Sequence, residues 1–145
     1  MHVVTSPQLR EDPQAPPANA ALHPFWPKGL PARFTLPDTS LHFNLRTAAT
    51  RYPDKPAYRY YGSALTWGGL LRDAEALAGW LQQRCGVKRG DRVVVMGQTS
   101  PQFATAVHAV LRADAVVVPV NAMLLTDEIA HCVRDSGART VIRSE

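Results

Sequence analysis

The sequence predicts an α/β fold built on a parallel sheet, and two observations carry this prediction. Three short apolar runs at 92–96, 115–120 and 139–143 alternate with two amphipathic stretches, and capping residues or glycine mark where those stretches begin or end. Strands and helices alternating at this spacing form right-handed parallel crossovers. We therefore expect a partial three-layer βαβαβ sheet, preceded by a β-hairpin and a proline-rich irregular leader.

The leader is set apart by its composition. Residues 1–40 contain eight of the twelve prolines: Pro7, Pro13, Pro16, Pro17, Pro24, Pro27, Pro31 and Pro37. Proline has no amide hydrogen to donate and restricts the residue before it, so helices and central strands are disfavoured. We expect 1–40 to be largely irregular, with the aromatics of 23–27 packing on a domain that occupies 41–145.

A short helix and a hairpin open the regular part of the chain. Ser40 is the predicted N-cap of a helix over 41–51, whose apolar face is Leu41, Leu45 and Ala48/Ala49 and which ends before Pro53. The aromatic, β-prone runs 57–61 and 64–67 flank Gly62-Ser63 and predict a hairpin.

The clearest helix is predicted over 67–84. Its apolar residues recur at spacings of three and four, and Gly86 supplies the left-handed residue that commonly closes a helix. The stripe consists of Leu70, Leu71, Ala74, Leu77, Ala78 and Leu81.

The parallel sheet begins with the apolar run 92–96, which is typical of a strand buried on both faces. Ser100 then caps a helix with Pro101 at its first position, where the missing amide hydrogen costs nothing. The buried stripe of that helix is predicted to be Phe103, Ala106, Val107, Val110 and Leu111.

A second buried strand is predicted at 115–120, followed by a helix capped by Thr126. Asp127 and Glu128 lie at the positive end of its dipole, and Gly137 closes it. The third strand, 139–143, is the last element, and a chain that ends on a strand of its sheet suggests the front portion of a larger domain.

Composition excludes some classes of function. The chain has 145 residues, 46% of them hydrophobic, and a net charge of +4 whose densest cluster is only Lys88, Arg89 and Arg92. A nucleic-acid surface normally carries a basic stripe, so we expect no nucleic-acid partner. Two distant cysteines, the absence of a secretory signal at the start, and polar turn residues inside the uncharged stretch 93–111 predict a cytoplasmic protein without a transmembrane segment.

Motifs that carry chemistry are scarce. The turn at 97–100 has one glycine where a dinucleotide fingerprint needs three, and no Gly-x-x-x-x-Gly-Lys-Ser/Thr occurs. The adjacent His131 and Cys132 point about 100° apart on a helix and cannot share a metal unaided. The aromatics of the hairpin are interpreted as cross-strand packing rather than a stacking platform. We predict no catalytic, cofactor-binding or metal-binding residue in this chain.

Five segments nevertheless resemble one family when taken in order. They are 49–57 (Ala-Thr-Arg-Tyr-Pro-Asp-Lys-Pro-Ala), 65–67 (Leu-Thr-Trp), 86–93 (Gly-Val-Lys-Arg-Gly-Asp-Arg-Val), 119–121 (Pro-Val-Asn) and 135–138 (Asp-Ser-Gly-Ala). This order is similar to the opening part of the adenylate-forming (AMP-binding) enzymes, and 26–31 is similar to the leader of bacterial long-chain fatty-acyl-CoA ligases. Departures include Gln98-Thr99 and Gln102, Asp114 where glycine is common, and Ala122 where proline often follows Asn121.

The resemblance implies an ATP-dependent acyl-CoA synthetase, which joins a fatty acid to coenzyme A through an acyl-adenylate and uses ATP, magnesium and coenzyme A. In the family, the phosphate loop, the acidic residues and the catalytic lysine all lie downstream of this segment. It follows that the chain alone is expected to be inactive, to need no cofactor, and to self-associate through an exposed sheet edge.

Two other classes of function remain open at this point. A stand-alone non-catalytic α/β binding or interaction module explains a chain without a catalytic constellation. A small flavodoxin-like nucleotide-binding domain is the third hypothesis, which flavin absorbance would reveal.

Overall fold

The computed structural model describes residues 38–143 and orders them as two small sheets and four helices. The elements are α1 (Leu41–Arg51), β1 (Pro56–Tyr60), β2 (Ser63–Thr66), α2 (Trp67–Gln83), β3 (Arg92–Gly97), α3 (Pro101–Arg112), β4 (Val116–Asn121), α4 (Thr126–Ser136) and β5 (Thr140–Arg143). The predicted leader lies almost wholly outside the described residues. Each helix and strand predicted from 41 onward is present within a few residues of its expected bounds.

The hairpin turns through two residues in the left-handed region. Tyr61 and Gly62 have φ of 43° and 80°, the pairing that a tight two-residue hairpin loop requires. Tyr60 pairs with Ser63 across the loop, and Tyr58 pairs with Leu65. Tyr58 thus lies at a position where cross-strand packing was predicted, whereas Tyr61 at the tip is 92% exposed.

The larger sheet is parallel, with strand order β4-β3-β5. The chain moves from the central strand to one edge and then to the other. Right-handed crossovers in opposite directions place α3 and α4 on opposite faces of the sheet, which gives the predicted three-layer arrangement.

The central strand β3 is enclosed, as its unbroken apolar run predicts. Val93, Val94 and Val95 are at most 1% exposed. On one face, Val93 and Val95 pack with the stripe of α3 and with Ala78 and Leu81 of α2. A second cluster, formed by Leu45, Leu70 and Ala74, joins α1 and the first half of α2 to the hairpin.

The edge strand β4 corrects one prediction. The apolar run 115–120 was expected to be buried throughout, but only Ala115 and Val120 at its two ends are buried, and Val116 is 48% exposed. Among residues 38–143 no strand pairs with its outer edge. An apolar run indicates that a strand packs against apolar side chains. It does not indicate which part of the chain supplies those side chains.

One predicted cap needs correction, and another is confirmed in position only. Thr126 is the first residue of α4, and the N-cap position belongs to Leu125, whose N–H donates to a Glu128 carboxylate oxygen at 2.8 Å. Ser40 does stand at the N-cap of α1, but its side chain makes no capping hydrogen bond. By contrast, the Ser100 hydroxyl accepts from the Phe103 N–H at 3.2 Å, as predicted.

Candidate functional site

In a parallel sheet of this order, ligands bind outside the carboxyl ends of the strands, where the chain changes direction between neighbouring strands. Here that point lies between β3 and β5. Gly97, Ser100 and Arg143 are among the residues around it, and they enclose a cavity of about 70 Å³. Small-molecule sites usually measure about 300–1,000 Å³, so this cavity by itself is too small for a nucleotide or flavin.

The turn after β3 leads into α3 and carries its N-cap residue, as the sequence predicts. Because the Ser100 hydroxyl is engaged by the Phe103 N–H, one donor of the helix terminus is already satisfied. A wider depression of about 440 Å³ lies beside it, between Gln98-Thr99 and the end of β4. The Asn121 side chain accepts from the Met123 N–H at 2.9 Å and so shapes the loop that follows β4. No ionisable side chain lines this depression.

An apolar cavity of about 360 Å³ lies between the hairpin and α3. Tyr58 and Tyr60 of β1 form one wall, and Phe103, Val107 and His108 of α3 form the opposite wall. Trp67 packs instead against the second core cluster, and the rings of Tyr60 and Tyr61 make a T-shaped contact with 4.6 Å between centroids. The four hairpin aromatics thus do not form a common stacking platform.

Sequence reasoning missed the burial of His42. This residue is 6% exposed, and neither ring nitrogen has a hydrogen-bond partner in the structure. Burial, and next the positive charge of Arg112, lower the pKa of His42, while Glu75 opposes them by raising it. The signal was present in the spacing: His42, Leu45 and Ala49 lie three and four residues apart and form the buried face of α1. Leu41, which the prediction placed on that face, is 65% exposed.

His108 of α3 is a second imidazole in the interior. It is partly exposed, in keeping with the boundary position that its place on α3 suggests, and its Nδ1 has no partner. Burial lowers the pKa of His108. Because both pKa values are lowered, both histidines are mainly neutral near pH 7.

Three basic residues lie at the opposite end of the parallel sheet. Lys88, Arg92 and Arg139 surround a polar depression of about 560 Å³ near the amino ends of β3 and β5. Asp91 lies among them, and its carboxylate accepts from the Lys88 N–H at 2.8 Å. This pattern describes a solvated, loop-stabilising surface.

Metal-ligating side chains are dispersed. Within the part of the chain that the structure describes, no group of three or more His, Cys, Asp or Glu residues is close enough to hold a metal ion. No helix there is both long and apolar enough to cross a membrane.

Comparison with known proteins gives a consistent result. The family model for AMP-binding enzymes matches residues 45–145. The long-chain-fatty-acid–CoA ligase of Bacillus subtilis is 36% identical over 117 residues, which cover 81% of this chain and 21% of the ligase. The chain thus spans about a fifth of the length of this curated relative.

Solved structures agree in fold. The N-terminal subdomain of Klebsiella oxytoca NpsA in complex with 3-hydroxyanthranilyl-AMSN superposes with a TM-score of 0.68 at 27% identity, covering 73% of this chain and 27% of that one. The nonribosomal peptide synthetase FmoA3 gives a TM-score of 0.73 at 28% identity, covering 77% of this chain and 12% of that one. The parallel sheet described above is therefore the one found in these adenylation proteins.

Proposed function

The chain belongs to the AMP-binding enzyme family, and from this membership we propose that it forms the amino-terminal part of an ATP-dependent fatty-acyl-CoA synthetase. The observation that carries the proposal is the match to a long-chain-fatty-acid–CoA ligase over 81% of the chain. In the proposed reaction, a fatty-acid carboxylate attacks the α-phosphorus of ATP and pyrophosphate leaves. The thiolate of coenzyme A then attacks the acyl carbon, and AMP leaves.

The contribution of the described residues to this reaction is a scaffold. The chain has no lysine after Lys88, and the cavity between β3 and β5 is only about 70 Å³. We propose that ATP, magnesium and coenzyme A are bound by parts of the parent enzyme that follow this segment, while β3, β4 and β5 supply part of the sheet that holds them in place.

A chimera tests this role directly. Residues 41–143 replace the matching segment of the Bacillus subtilis ligase, and thioester formation from a long-chain fatty acid, ATP and coenzyme A is measured. We expect activity to survive, because a segment of the same fold completes the sheet. The matched control carries Val94→Asp, which buries a charge in the central strand and is expected to abolish folding. A chimera that folds and does not form thioester contradicts the proposal.

The isolated chain is proposed to be inactive. Calorimetric titration with ATP and magnesium is expected to show no saturable heat, because the described residues provide no glycine-rich phosphate loop and no acidic pair for the metal. Micromolar binding would contradict this and would favour the alternative of a stand-alone binding module, for which no observation in the structure speaks. We also propose a cytoplasmic location, since Cys85 and Cys132 are both free thiols, and self-association through the exposed sheet edge.

A further inference from the structure

Helix α1 lies against α2 and α3 through one narrow face. His42, Leu45 and Ala49 are its buried residues, and Leu45 packs with Leu70 and Ala74 of α2. Within residues 38–143, no side-chain hydrogen bond or salt bridge joins α1 to another element. An isolated helix of 11 residues is marginal in water. The position and the helical structure of α1 therefore depend on the packing of this face.

His42 is the polar member of the buried face. Its ring is 6% exposed, and neither ring nitrogen has a hydrogen-bond partner. A neutral imidazole has one N–H donor and one acceptor nitrogen, whereas the protonated ring has two donors and a positive charge. Burial of a charge without a partner is far less favourable than burial of a neutral polar group. The docked position of α1 thus accommodates the neutral ring and disfavours the protonated one.

The charged groups around His42 also oppose a positive charge on its ring. Arg46 of α1, Arg112 of α3 and His108 of α3 each act against protonation. Of the groups that act on His42 in the described part of the chain, Glu75 of α2 alone favours it. Burial, followed by Arg112, lowers the pKa of His42 below the ordinary value of 6.5. In a state with α1 undocked, the ring regains water and loses these neighbours, so its pKa returns towards that value.

The core of the parallel sheet is built without α1. The cluster that encloses Val93 and Val95 of β3 takes its other buried residues from α2, α3 and the connections beside them, and it contains no residue of α1. Loss of the contacts of α1 therefore removes packing from the second cluster, around Leu70 and Ala74, and leaves the first cluster in place.

We propose that α1 is a pH-sensitive switch: protonation of His42 releases α1 from α2 and α3 while the parallel sheet stays folded. Above pH 6.5 the ring is mainly neutral in the docked and undocked states alike, and α1 stays docked. As pH falls below 6.5, the undocked state binds a proton that the docked state does not. The equilibrium constant for opening then rises by at most about tenfold per pH unit for one histidine.

Native-state hydrogen exchange of the 145-residue chain between about pH 7 and about pH 5 tests the switch. Protection factors, which are corrected for the intrinsic pH dependence of exchange, are compared for amides 45–51 of α1 and 93–95 of β3. We expect the protection of α1 to decrease as pH falls, and β3 to remain the better protected element at every pH. Equal protection of the two elements throughout, or protection of α1 that does not change with pH, overturns the proposal.

The variant His42→Leu removes the titrating group and keeps a side chain of similar size in the buried face. In H42L the protection of α1 is expected to stay nearly constant over the same pH range. The matched control is Leu45→Ala, which weakens the same face without removing the imidazole. It is expected to lower the protection of α1 by a similar factor at every pH and to keep the wild-type pH dependence. A folded H42L variant with the wild-type pH dependence overturns the proposal.

Two exposed charges keep the test decisive if H42L does not fold. Arg112→Gln removes a cation that disfavours the protonated ring, and Glu75→Gln removes the anion that favours it. At low ionic strength, where such charges are least screened, we expect the acid-induced decrease in α1 protection to be smaller in R112Q and larger in E75Q than in the wild type. Any other order of the three proteins contradicts the mechanism. Because exchange is measured without fatty acid, ATP or coenzyme A, its outcome is independent of the ligase assignment.

Discussion

At the scale of single residues, His42 is the group whose surroundings predict a pH response. Its pKa lies below the ordinary value of 6.5, chiefly through burial and then through Arg112. Between 6.5 and the lower folded pKa, the unfolded chain binds a proton that the folded chain does not. The free energy of unfolding therefore decreases as pH falls through this window, and the slope is at most about 1.4 kcal/mol per pH unit for one histidine.

The variant His42→Phe tests this response. We expect the decrease in unfolding free energy between about pH 7 and about pH 5 to become shallower, with a remainder from His108, whose pKa is lowered in the same direction. The matched control is His131→Gln, which replaces an exposed histidine on α4. Chemical denaturation at a series of pH values measures it, and parallel profiles for wild type and H42F contradict the prediction.

Asp114 adopts a backbone conformation that favours glycine. Its φ is 57°, and its carbonyl accepts from the Gly90 N–H at 2.9 Å. For Asp114→Val we expect a loss of about 1–2 kcal/mol of stability, because β-branched residues are outliers in the left-handed region. For Asp114→Gly we expect a change below about 0.5 kcal/mol, since relief of strain is offset by the freedom that glycine gains in the unfolded chain. Urea midpoints measure both, and equal losses for the two variants would count against the backbone argument.

At the scale of elements, the two cap predictions form a matched pair. Ser100→Ala removes a hydroxyl that accepts from the Phe103 N–H and is expected to cost about 1 kcal/mol. Thr126→Ala changes the first residue of α4, whose side chain does not cap the helix, and is expected to cost less than about 0.5 kcal/mol. The thermal midpoints of the two variants provide the comparison, and a larger loss for Thr126→Ala would reverse the assignment of caps.

The sequence was sufficient for elements that local chemistry defines. The spacing of apolar residues located α2, Ser100 with Pro101 located the start of α3, and Gly137, with φ of 66°, ends α4 as predicted. It was insufficient where two neighbouring residues compete for one role. Leu125 occupies the N-cap position instead of Thr126, and the Glu128 carboxylate accepts a hydrogen bond from its N–H. Capping propensities of single residues do not include this hydrogen bond.

Prediction of the candidate site was limited for a different reason. Glycine-rich and metal-binding motifs can be searched for in the sequence directly. The apolar cavity between β1 and α3 depends instead on how two elements that are distant in sequence pack together. His42 was overlooked because histidine is neither reliably buried nor reliably exposed. The packing of α1 against its neighbours buries His42 and leaves Leu41 exposed.

At the scale of the whole molecule, the described interior consists of two clusters that share α2. Leu70 and Ala74 belong to the cluster beneath the hairpin, and Ala78 and Leu81 belong to the cluster beneath the parallel sheet. Truncation of a buried leucine to alanine typically costs about 2–5 kcal/mol. Leu45→Ala and Leu81→Ala therefore place similar lesions in different halves of the structure.

The division of the interior has a consequence for how the molecule opens. Regions that share few contacts exchange amide hydrogens through separate partial openings, each with its own free energy. We expect Leu45→Ala to accelerate exchange in α1 and the hairpin while β3 keeps its protection, and Leu81→Ala to accelerate exchange throughout the parallel sheet. Native-state hydrogen exchange followed by mass spectrometry measures both patterns, and uniform acceleration in each variant would mean that the chain opens as one unit. If the patterns differ, the hairpin half is a region that can come apart and re-form while the sheet half stays folded.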